Sequence, residues 1–109
     1  METSGHENIT SRALKSRLDA GERPVLLDVR EPWEFELARI EGSELLPMSQ
    51  LEARFTELDP ASETVVICHH GNRSAYVAAA LKRAGFDNVL NLEGGIDAYS
   101  LVDDSVPTY

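Results

Sequence analysis

The sequence holds a single cysteine, one tryptophan and few aromatic residues, 6 % in all. One cysteine allows no internal disulfide, so a disulfide-stapled secreted scaffold is excluded, and the thiol would stay reduced in a cytoplasm. No apolar run approaches the ~20 residues that cross a bilayer. The opening METSGHENIT lacks the basic stretch and apolar stretch of a secretory signal. A cytoplasmic location is the expectation. Basic residues are scarce as well: 10 Lys and Arg against 19 Asp and Glu give a formal net charge of −9. That argues against nucleic acid and membrane as partners, because neutralising phosphate needs concentrated Lys and Arg. The acids are densest in DVREPWEFELARIEGSE, residues 28–44. This reads as a solvated, self-repelling surface or, more sharply, as a face for a basic protein.

What is present fits one domain. A chain of 109 residues, 42 % apolar, is large enough for one hydrophobic core and too small for two. Residues 1–8 read as a flexible tail and 9–109 as the domain. A short strand at Ile9 leads to a helix capped by Thr10 or Ser11, with Ala13, Leu14 and Leu18 on one face and Gly21 as its stop. PVLLDVR and TVVI are short apolar runs suited to strands buried on both faces. Pro32 opens a short helix over 32–38, and a brief strand follows at 44–46. Leu51, Phe55 and Leu58 predict one helix across SQLEARFTEL. SAYVAAALKRAG is a strong helix ending at Gly85, NVLNL a fifth strand, and GIDAYS a short last helix; LVDDSVPTY has no periodicity. Strands alternating with helices predict an α/β fold, a five-stranded, mainly parallel sheet with helices on both faces. In such sheets ligands sit beyond the carboxyl ends of the strands.

The cysteine lies at one of those ends, in TVVICHHGNRS, residues 64–74. Four residues separate Cys68 from Arg73, and a helix follows. A thiol reacts as its thiolate, the form that a helix N-terminus and a nearby cation favour. Gly71 can take angles forbidden to other residues, so the amides of 69–73 could turn inward as an anion nest. Cys68 is thus a candidate nucleophile, with His69, His70, Gly71, Asn72, Arg73 and Ser74 as an anion-stabilising, substrate-binding loop. Against this stands a cysteine buried as a small hydrophobe behind Val65, Val66 and Ile67. Metal binding by Cys68, His69 and His70 is disfavoured, because adjacent residues seldom converge on one ion; no metal or other cofactor is expected. His6 lies apart in the tail, and the two loop histidines are expected to point outward with partial positive charge. With no second cysteine to resolve it, whatever Cys68 accepts must pass to another molecule.

These residues resemble the rhodanese domain, the single-domain sulfurtransferase family, over nearly the whole chain from Ile9 to about Tyr109. Cys68 through Arg73 match the family's cysteine loop between strand and helix. Asp28, Arg30, Glu34 and Phe35 match its upstream signature, and Gly94 and Gly95 its closing glycine pair. One stretch departs: the usual Gly-His-Ile-x-Gly-Ala stands here as Ala38-Arg39-Ile40-Glu41-Gly42-Ser43. The resemblance implies a persulfide on Cys68, loaded by a small sulfur-containing anion such as thiosulfate. Cyanide would unload it in vitro, and a thiol or a protein sulfur acceptor in the cell. It gives Asp28 and Arg30 a supporting role, an ion pair between strand ends that holds the loops. Two alternatives stay open. Dual-specificity phosphatases of the cell-cycle type share the fold, with five residues rather than four between Cys and Arg. Non-catalytic rhodanese-like modules that only bind a partner have commonly lost the cysteine. The ending GGIDAYSLVDDSVPTY resembles the tail of rhodanese domains fused to enzymes that adenylate ubiquitin-like sulfur carriers.

Overall fold

A computed structural model describes residues 7–109. Five strands form one sheet in the order β1-β5-β4-β2-β3. They are β1 (Glu7–Ile9), β2 (Val25–Asp28), β3 (Glu44–Leu45), β4 (Thr64–Ile67) and β5 (Val89–Leu92). Every pairing is parallel. β1 takes in Glu7 and Asn8, which the sequence reading put in the tail; the rest of that tail, with His6, lies outside the described residues.

Side chains alternate across a strand, and here the alternation sorts the core into two layers. Leu26, Val65, Ile67 and Leu92 face one layer with α1 (Ser11–Asp19) and α5 (Gly95–Tyr99). Leu27, Val66 and Val89 face the other, with α4 (Asn72–Arg83). Cys68 follows Ile67 in the same rhythm and falls in the α4 layer. The strand therefore delivers the thiol under the helix that starts just beyond it.

Local signals explain the helix ends. The Thr10 hydroxyl accepts from the Ala13 amide at 3.1 Å and caps α1, and Pro32 opens α2 (Pro32–Leu37). α4 begins at Asn72, two residues before the start its alanine run suggests, because Gly71 at φ 102° turns the chain into it. The predicted helix across SQLEARFTEL is broken. A 3₁₀ turn (Met48–Gln50), one α turn, α3 (Leu51–Arg54), and a second 3₁₀ turn (Phe55–Glu57) replace it. Leu51, Phe55 and Leu58 are only partly buried against the α4 layer. Helices this short draw their regularity from tertiary burial, and little is available here. No helix of the described residues is long and apolar enough to cross a membrane.

Candidate active site

Cys68 sits where β4 ends, 1 % exposed, with its sulfur inside a turn of its own loop. The Gly71 amide donates to Sγ at 3.0 Å. The Ser74 hydroxyl, fully buried in the first turn of α4, lies 3.2 Å from the same sulfur. That hydroxyl also reaches Asn91 Oδ1, so its one proton has two acceptors to choose between. Asn91 comes from β5 and holds the loop a second time, its Nδ2 donating to the Gly71 carbonyl at 3.4 Å. Sequence reasoning missed Asn91. Its signal was a polar residue at a buried position of the apolar run NVLNL.

The loop is shaped from outside by α5. The Ile96 amide donates to the Cys68 carbonyl at 2.8 Å, and the Asp97 amide to the His69 carbonyl at 3.0 Å. Peptide units are planar and trans, so the His69 and His70 N–H groups face away from α5. Gly95, at φ 63°, makes this approach feasible. A Cβ there would stand 2.4 Å from the His69 oxygen and 2.6 Å from the Cys68 oxygen. The closing glycine is thus a contact residue of the thiol loop.

Arg73 is not free above the sulfur. Its guanidinium forks onto Glu34, Nη1 to Oε1 at 2.9 Å and Nη2 to Oε2 at 3.0 Å. Glu34 also accepts from the Glu31 amide and from the Tyr109 hydroxyl, each at 2.9 Å. The Arg73 pairing, helped by these bonds, holds the Glu34 carboxyl down at about 2 against the opposing effect of burial. Arg73 is raised in turn by its bond to Glu34. Glu34 was expected only as a matched position, and its partners lie 39 and 75 residues away in sequence.

Asp28 and Arg30 pair as expected, although both stand at the end of β2 rather than on two strands. Arg30 Nε and Nη2 reach the two Asp28 oxygens at 2.8 and 2.7 Å, and both side chains are fully buried. The other Arg30 donors go to the Tyr109 hydroxyl at 2.7 Å and to the Ala38 and Glu34 carbonyls. Ala38, in the departing stretch, is buried, whereas Arg39 lies exposed with its guanidinium 5.0 Å above the Phe35 ring.

The histidines divide. His70 is exposed, 3.8 Å from Asp97. His69 does not point outward as expected. Its ring is stacked between His70 and Tyr109, with centroids 4.0 Å apart on each side, and its Nε2 is buried without a hydrogen-bond partner among the described residues. Beside Arg73, a groove of about 660 Å³ opens between α4 and the 48–57 segment, lined by Val29, Met48, Phe55 and Tyr76 among others.

Comparison with known proteins places the fold in a family. A family model described as "Rhodanese-like domain" matches residues 10–101. A sulfurtransferase of Allochromatium vinosum is 36% identical, over 84% of this chain and 86% of its own. A probable adenylyltransferase/sulfurtransferase of Mycobacterium tuberculosis is 38% identical over 84% of this chain but only 24% of its own length. The chain spans between about a quarter and a half of the first curated relatives it matches. The crystal structure of a rhodanese-related protein from Thermoplasma volcanium superposes with a TM-score of 0.83 at 32% identity, covering 95% of this chain and all of that one. On the fold, the cysteine loop and these matches together, the chain belongs to the rhodanese-like domain family.

Proposed function

We propose that the protein is a sulfurtransferase that carries sulfane sulfur as a Cys68 persulfide. The observation that carries this reading is the Gly71 amide donating to Sγ, with the Ser74 hydroxyl 3.2 Å away and able to turn its proton to a thiolate there. Donors preorganised on a sulfur stabilise negative charge there in a site that is largely dry. In the first half-reaction the thiolate attacks the outer sulfur of a donor such as thiosulfate. A new S–S bond forms, the donor's S–S bond breaks, and sulfite leaves with the electron pair. Cys68 then bears a terminal persulfide sulfur. In the second half-reaction a thiophilic acceptor attacks that sulfur, and the electron pair of the Cys68–S bond returns to the thiolate. Cyanide would leave as thiocyanate. A thiol or a protein sulfur carrier is the acceptor proposed for the cell, in keeping with the adenylyltransferase/sulfurtransferase relative.

The four residues between Cys68 and Arg73 favour sulfur over phosphate, because a phosphoryl group needs three oxygens held at once. Hydrolysis would also need a general acid over the loop. Glu34, the buried carboxyl of α2, is engaged by Arg73 and held ionised. The experiment is a thiosulfate-to-cyanide assay of the wild type and Cys68→Ser, beside an aryl phosphate assay and mass spectrometry of protein purified without reductant. Expected are transfer that vanishes in the variant, a mass one sulfur heavier in the wild type only, and negligible phosphate hydrolysis. Transfer that persists in Cys68→Ser, or phosphatase turnover without sulfur transfer, overturns the reading.

A further inference from the structure

The segment after α5 has no helical or strand pattern, yet its Tyr109 reaches His69 of the thiol loop and both Arg30 and Glu34 beside it. Its ring lies flat on His69, 9° from parallel, and meets Trp33 edge-on at 6.2 Å. Its hydroxyl accepts from Arg30 and donates to Glu34 Oε2, the oxygen that receives Arg73 Nη2. One phenol therefore joins the buried Asp28–Arg30 pair to the half-exposed Glu34–Arg73 pair. A relay of this form has a direction. Arg30 is fully buried and cannot turn to water, so without the phenol oxygen its Nη1 lacks its shortest acceptor. Glu34 Oε2 loses a donor at the same stroke, which leaves the carboxylate held only by the Glu31 amide and by the Arg73 fork it is meant to orient.

We infer that Tyr109 is a positioning residue for sulfur transfer, which fixes Arg73 at the rim of the thiol loop through Glu34. The inference rests on the sulfur-transfer reading for its consequence, the capture of an anionic donor by Arg73, but its test does not. A guanidinium binds anions through a fork of fixed direction, so its orientation matters as much as its charge.

The test compares alkylation of Cys68 by iodoacetate, an anion, and by iodoacetamide, its neutral counterpart of similar size. The ratio of the two rates reads anion attraction at the loop and cancels changes in access. Tyr109→Phe keeps the ring on His69 and removes only the hydroxyl, with no change in formal charge. It is expected to lower the ratio several-fold, and to raise KM for thiosulfate by a similar factor with kcat little altered. In an Arg73→Ala background the same substitution should lower the ratio no further, because the effect runs through Arg73. An unchanged or raised ratio in Tyr109→Phe overturns the inference, as does an undiminished fall in the Arg73→Ala background. Should the wild type transfer no sulfur, the functional reading fails while the alkylation ratio still decides the role of Tyr109.

Discussion

Replacing Glu34 by Gln tests whether the carboxylate on α2 holds the thiol loop to the rest of the fold. Glu34 is 4 % exposed, and its partner Arg73 is about one-third exposed, so the pair lies between a surface bridge and a buried one. Surface pairs contribute about 0–1 kcal/mol, whereas breaking a buried pair costs about 3–5. A carboxyl held at about 2 instead of 4.5 corresponds to at most ~3 kcal/mol. Screening of the exposed Arg73 side reduces that to about 2 kcal/mol. For a domain of this size such a loss lowers Tm by roughly 10 °C. The sign with pH follows from the direction of the shift. The folded-state value is depressed, so the stabilisation is fully present above about 4.5 and is lost as pH falls toward about 2. Urea unfolding of both proteins at neutral pH and at pH values between 4.5 and 2 measures it. The wild type should lead by about 2 kcal/mol at neutral pH and converge with the variant through the acid window. A gap below ~0.5 kcal/mol, or one that persists unchanged into acid, refutes the account, since the carboxylate charge would then not be its source.

Two further substitutions probe the loop from β5 and α5. Gly95→Ala should destabilise by about 2–4 kcal/mol, measured by denaturant unfolding, because it adds a left-handed penalty to a backbone clash. It should also depress sulfur transfer, since the clash falls on the Cys68 and His69 carbonyls. Asn91→Ala leaves the Ser74 hydroxyl and the Gly71 carbonyl without their β5 partner, at a cost of about 1–3 kcal/mol. Steady-state kinetics should show lower kcat in that variant, and an unaltered kcat would mean that Asn91 has no part in setting the donors on Sγ.

The thiol loop was legible because its parts are adjacent: strand, cysteine, glycine and helix follow one another within TVVICHHGNRS. The order of strands and helices was legible for the same reason, as each element carries its own periodicity. Three things were not. Arg73 was expected as a cation closing the anion-stabilising loop, and only the fold brings Glu34 across from α2 to meet it. His69 was expected outside, and the aperiodic segment that covers it has no pattern to read. The helix expected over residues 49–58 was over-read because spacing reports a face but not how much cover that face finds. The common cause is distance along the chain. Local signals specify the loop's chemistry, while partners many residues away specify its surroundings.

The amide contacts from Ile96 and Asp97 have a consequence for the order of assembly. β5 lies between β4 and β1, so the first strand of the chain has no neighbour until the fifth is made. The loop that follows β4 is in the same position. Its carbonyls are turned by the start of α5 and its Gly71 carbonyl is held by Asn91, all of them later in synthesis than α4. A nascent chain that has emerged only as far as α4 therefore holds the cysteine but not the mould that shapes its loop. Reactivity of the thiol should arise late and together with closure of the sheet, so an unfinished chain would meet the cell as an ordinary cysteine peptide.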